Sequence, residues 1–127
     1  MNNKIMVNVT AKDIFNAQAG KGFKEAGSGK LEGMLTGYAV YDTESANKTT
    51  GEIETKTISL MIVDGEIYSG ESIVIADRVR QLEQFTTEEE IKAGIPIQFG
   101  ELKVGRGTAT TFTLNQHRTT DQRKDTT

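Results

Sequence analysis

Phe23 stands among Lys21, Lys24 and Lys30 in a glycine-rich stretch, Ala19 to Lys30. Tyr38 and Tyr41 follow on a segment that carries Gly33 and Gly37. Lys56 lies in the next long run, and Tyr68 comes just after an Asp64-Gly65 pair. Lys103 and Arg106 sit on either side of Gly105. Flat rings offer faces on which bases stack, and cations follow the phosphates between them. This interleaving therefore fits recognition of a single nucleic-acid strand. Each stacked base contributes roughly 1–3 kcal/mol, so two or three rings with a few cations suffice. Phe15, Phe85, Phe99 and Phe112 sit among apolar neighbours and are assigned to the core.

Other chemistries find little footing. With no cysteine, disulfides, thiol catalysis and thiolate metal sites are excluded. A single histidine, His117, precludes a multi-histidine site and lies beside a polar tail that would not hold it for proton transfer. Gly27-Ser-Gly-Lys30 lacks the earlier glycine and the following hydroxyl of a phosphate loop, because Lys24 and Leu31 occupy those places. After Gly20-x-Gly22, Glu25 stands where a dinucleotide fingerprint needs glycine. Glu88, Glu89 and Glu90 read as a solvated first helical turn. No enzyme is expected, and no cofactor or metal.

The chain of 127 residues is long enough for one domain with a modest core. No apolar run approaches the length needed to span a bilayer, and the N-terminus lacks the layout of a secretory signal. Together with the missing cysteines, this leads us to expect a cytoplasmic protein and no membrane partner. The net charge of −3 conceals an asymmetry: residues 64–101 carry nine acids and three bases, and residues 102–127 carry two acids and five bases.

The elements that must position these residues are mostly strands. Threonine is abundant and concentrates in β-branched stretches. Residues 1–10 read as an N-terminal arm or edge strand. The stretch 19–30 has no apolar periodicity and reads as a mobile basic loop. Lys30 to Asp42 is a long strand whose glycines suggest a bulge or bend. A polar turn over 43–50 follows, then the clearest strand, 52–63, in which Ile58, Leu60 and Ile62 share one face. Asp64-Gly65 is a hairpin turn. Ile75, Val79, Leu82 and Phe85 make the apolar stripe of a helix starting near Ser72, and Thr87 with its glutamates caps a second short one. Residues 95–104 and 108–115 form a last hairpin around Gly105-Arg106-Gly107. The tail, 116–127, has no apolar residue and is expected to be disordered. The fold expected is mainly β: a five-stranded antiparallel OB-like barrel over 11–115, with one helix between its third and fourth strands.

The order of features resembles the small single-stranded DNA-binding proteins of phages and Gram-positive conjugative elements. The resemblance is carried by Leu35-Thr-Gly-Tyr-Ala-Val-Tyr41, by Thr57 through Ser69 with the helix after it, and by Lys103-x-Gly-Arg-Gly107 leading to Phe112-Thr-Leu114. It implies an OB-like domain that coats single-stranded DNA without sequence preference during replication or transfer. It also implies self-association along the DNA, for which residues 1–10 are the expected contact, by strand addition to a neighbour. The competing reading is a β subunit of a phage or conjugation assembly that binds protein and no nucleic acid.

Overall fold

The computed structural model describes residues 4–17 and 20–114. Ten elements follow in order: β1 Ile5–Val7, α1 Ala11–Ala17, α2 Phe23–Ser28, β2 Glu32–Ala46, β3 Ile53–Val63, β4 Glu66–Gly70, α3 Ile73–Phe85, α4 Glu88–Ala93, β5 Ile95–Val104 and β6 Gly107–Leu114. All strand pairs are antiparallel. Five strands run in the order β4-β3-β2-β5-β6, and β1 adds to β2 beside them. The mainly β expectation holds. The closed five-stranded barrel does not: among the described residues the sheet is open, has six strands, and carries four helices rather than one.

β2 organises this sheet. Its first residues, Glu32 to Leu35, pair with Gln98 to Ile95 of β5. Tyr38 to Val40 pair with Val7 to Ile5 of β1. Along the other edge, the register with β3 slips by one residue between Leu35 and Gly37, a bulge in the segment where the glycines suggest one. At Gly37 a Cβ would lie 2.7 Å from the Asn8 carbonyl oxygen, so only glycine lets the N-terminal chain come this close. The Asn8 side-chain amide donates to the Thr36 carbonyl at 2.6 Å and fixes the crossing. Residues 5–7 are thus paired along one edge with β2 of their own chain.

Strand alternation then places residues on two faces. Tyr38 and Val40 of β2, with Met61 and Val63 of β3, enter the main core. Ala39 of β2 and Leu60 of β3 enter a smaller one beneath β1 and α1. The sheet is therefore covered on both sides near the bulge. Helix α3 starts where Ser72 accepts a hydrogen bond from the Ile75 amide at 3.1 Å, and it buries Ile75, Ala76, Val79 and Leu82 against the main core. Phe85 departs from the expected stripe and is 77% exposed. Ten residues at 3.6 per turn carry it about 80° away from Ile75, on the side opposite Ala76. α4 has the expected cap: Thr87 accepts from the Glu90 amide, and the Glu90 carboxylate accepts from the Thr87 amide. At the Asp64-Gly65 turn both residues have positive φ, as the tight hairpin needs.

The glycine-rich stretch 19–30 contains helix α2 rather than a mobile loop. Phe23 is its anchor, with its ring centroid 6.4 Å from that of Phe99, which in turn meets Tyr68 and Phe112. Gly27 lets the helix backbone press on the last hairpin, because a Cβ there would lie 2.7 Å from the Thr110 hydroxyl. Tertiary contact overrides the poor helix propensity of this segment. The expectation for residues 116–127 lies outside the described residues.

Two outcomes are expected. Gly37→Ala places a methyl against backbone that cannot yield. It should lower unfolding stability by about 1–3 kcal/mol in urea titrations, with a one-sided loss of hydrogen-exchange protection in β1. Tyr38 has its phenol pKa raised, chiefly by burial, with the Glu83 and Glu88 charges adding to it and a Thr86 hydrogen bond opposing. The native state then holds this proton more tightly than the unfolded chain. Stability should be level below the unfolded phenol pKa of about 10 and fall as pH rises past it. Thermal melts above that pH should fall less steeply for Tyr38→Phe than for the native chain.

Candidate nucleic-acid interface

Two hairpins extend from the packed body. Beyond Tyr41, β2 is exposed through Ala46, and β3 is exposed from Ile53 to Lys56. Their turn is closed by Asn47, whose side-chain oxygen accepts from the Thr49 and Thr50 amides. The strands reach further into the polar stretch than the turn expected over 43–50, because cross-strand pairing continues out to Ala46 and Ile53. The second hairpin is exposed from Glu101 through Thr108.

A groove in two compartments runs over the end of β4, from one hairpin toward the other. The first, about 370 Å³, is lined by Ile14, Ala17, Tyr41, Thr43 and Ile58. The second, about 550 Å³, lies between the start of α3 and β6, with Lys24, Ile73, Glu101 and Thr108 on its walls. Ser69, Gly70 and Glu71 line both, so the compartments abut. The second exists because β4 and β6 do not pair; α2 sits between them instead. Lys21 makes an isolated parallel bridge to Tyr68, and the Thr110 hydroxyl donates to the Phe23 carbonyl at 3.1 Å.

The ten expected binding residues divide. Tyr41 is half-buried on the wall of the first compartment, and burial raises its phenol pKa. Lys56 lies opposite Thr43 in the strand register, and its Nζ is 3.6 Å from Glu71 at the junction. Both members of that ion pair are substantially exposed, so the pairing is weak and a phosphate can compete for the lysine. Lys24 is exposed on the second compartment. Lys103 and Arg106 are exposed on the last hairpin. Lys103 lies opposite Thr108, on the hairpin face that continues from Phe99 and Phe112. Lys21 pairs with Glu66 at 3.6 Å, and Lys30, at positive φ, lines a neighbouring depression with Gln98 and Thr111.

Three rings are corrected. Phe23 and Tyr68 are 6% exposed and Tyr38 is 1% exposed, so none presents a face to a base. A glycine-rich stretch offers Phe23 no core of its own, but α2 carries the ring onto Phe99 and its aromatic neighbours. Tyr38 and Tyr41 differ by three positions along a strand, so alternation puts them on opposite faces. The exposed rings are two that the sequence assigns to the core: Phe15 at 73% and Phe85 at 77%. The signal for Phe15 was present, since Ile14 and Phe15 are adjacent and a one-sided seven-residue helix covers only one of them.

Among the described residues no three metal-ligating side chains converge, and no helix is long and apolar enough to cross a membrane. In comparisons with known proteins no family model matches the chain, and no curated protein or solved structure matches it either.

Proposed function

We propose that this protein binds and coats single-stranded DNA without strong sequence preference, with the strand lying in the groove over β4. The observation that carries this is the groove itself: an open channel bounded by two exposed hairpins, with Tyr41 and Lys24 on its walls and Lys56 and Lys103 at its margins. Tyr41 would stack a base in the first compartment, and Lys56, Lys24 and Lys103 would meet successive phosphates. The strand order, with α3 between β4 and β5, supports reading the fold as an OB-like roll left open where α2 enters. In such folds the first and last hairpin loops flank the oligonucleotide. Their counterparts here are the turns around Asn47 and Gly105. A role in phage replication or conjugative transfer belongs to the same proposal and rests on the order of sequence features.

The acidic side chains Glu71 and Glu101 also border the groove. Binding must therefore displace the Lys56–Glu71 pair, and the affinity should fall with salt in proportion to the phosphates met. The test is fluorescence anisotropy with a labelled oligo-dT several site sizes long, at low and moderate salt, with duplex as competitor. Log affinity should fall with log salt with a slope near −0.7 per phosphate met, or about −2 for three. Tyr41→Ala should cost roughly 1–3 kcal/mol, a loss of about five- to 150-fold, while Thr113→Ala should leave affinity unchanged. Absence of binding at low salt would sink the proposal, and the protein-binding subunit would take its place. Binding unaffected by Tyr41→Ala and Lys56→Ala would remove the groove as the site.

A further inference from the structure

Two carboxylates stand on the walls of the second compartment, Glu71 and Glu101. Each opposes a polyanion unless something answers its charge. Glu71 has its counter-ion in Lys56, 3.6 Å away. Among the described residues, the Glu101 carboxylate has no ion pair and accepts no hydrogen bond. Its cross-strand neighbour Thr110 does not supply one, because that hydroxyl gives its proton to the Phe23 carbonyl. Alternation keeps Glu101 on the face that continues from Phe99, so the compartment wall is where the carboxylate belongs. On the α3 side of the same compartment, Ile73 follows the Ser72 cap with 77% of its surface exposed.

An exposed aliphatic side chain and an unpartnered carboxylate in one compartment suit a particular kind of ligand. Its faces are flat and apolar, and its edge carries hydrogen-bond donors. Nucleobases have that form. A carboxylate offers two acceptor oxygens and no donor. Among the DNA bases only guanine sets two donors side by side, N1–H and the N2 amino group. Adenine and cytosine set an amino donor beside a ring-nitrogen acceptor. Thymine flanks its single N3–H with two carbonyl oxygens, which a carboxylate repels.

We propose that the second compartment is a guanine-selective subsite. The base lies against Ile73, and its N1–H and N2–H donate to the two oxygens of Glu101. Lys24, on the same compartment, remains available to an adjoining phosphate. This rests on the strand lying in the groove over β4, and it names the base preferred at one position there. Stacking on Tyr41 and the phosphate contacts stay indifferent to sequence, so coating is tolerant while its register along the strand is biased toward guanine.

Anisotropy titrations at one salt concentration test this with labelled strands of equal length. One is oligo-dT, one is oligo-dT with isolated guanines, and one carries hypoxanthine in place of each guanine. Isolated guanines avoid four-stranded structures. The native chain should bind the guanine strand about fivefold more tightly than oligo-dT, the lower end of what a two-point base contact supplies. Hypoxanthine keeps the purine rings and N1–H but lacks the N2 amino group, so it should lose most of that advantage. Glu101→Gln presents one acceptor and one donor. It should bind every strand at least as tightly, since a negative charge has gone, yet lose the preference for guanine. Equal affinity of the native chain for the guanine strand and oligo-dT overturns the proposal. So does a preference that survives Glu101→Gln or the change to hypoxanthine, which would assign it to purine stacking. Failure of the groove reading is distinct: the native chain then binds none of the strands, and this proposal falls with it.

Discussion

Three strands compete for the edges of β2, and the one-residue slip between Leu35 and Gly37 decides where each lies. Before the slip, β2 faces β5; after it, the same edge is taken by β1. The bulge bends the strand so that its outer half leaves the body as a hairpin while its inner half stays in the core. Gly37 permits this because the Asn8 backbone occupies the space a side chain would need. The fold, the position of the first hairpin and one wall of the groove all follow from that close approach.

The open edge of the sheet is the second organising feature. A sheet of this order closes only if β4 meets β6, and here α2 occupies the space between them. Its ring, Phe23, joins Tyr68, Phe99 and Phe112 in one aromatic cluster. Such tilted and edge contacts each add about 0.5–1.5 kcal/mol beyond simple burial. Edge groups are also met locally: Lys21 exchanges backbone bonds with Ile67 and Ser69, and the Arg78 guanidinium donates twice to the Phe112 carbonyl. The rings that might have stacked on bases instead hold the gap open. The groove over β4 is a consequence of that plug.

The last hairpin presents two chemically different faces. Lys103 shares the face that continues from the core toward the groove, whereas Leu102 and Val104 occupy the other. Strand alternation thus sets neighbouring residues of this hairpin on opposite faces. The charge asymmetry along the chain gains a spatial meaning. The acidic α3–α4 connection leads to one end of β5, and the basic turn at its other end borders the channel between the hairpins.

Much was legible in the sequence because it depends on local rules. The Asp64-Gly65 turn needs positive φ, Ser72 and Thr87 satisfy free helix amides, and the glycines of β2 mark its bend; none of these requires knowledge of distant residues. Strand alternation was legible too and separates Tyr38 from Tyr41, but it does not say which of the two faces a core covers. What the sequence could not decide was which poorly patterned segment a distant core would capture. The stretch from Phe23 to Ser28 has no helical periodicity, and only the cluster around Phe99 makes it a helix. Likewise Phe85 follows an apolar stripe closely enough to look buried, but α3 outlasts the surface it packs on. Local chemistry is written in neighbouring residues. Burial is a property of surfaces that meet only when the chain has folded.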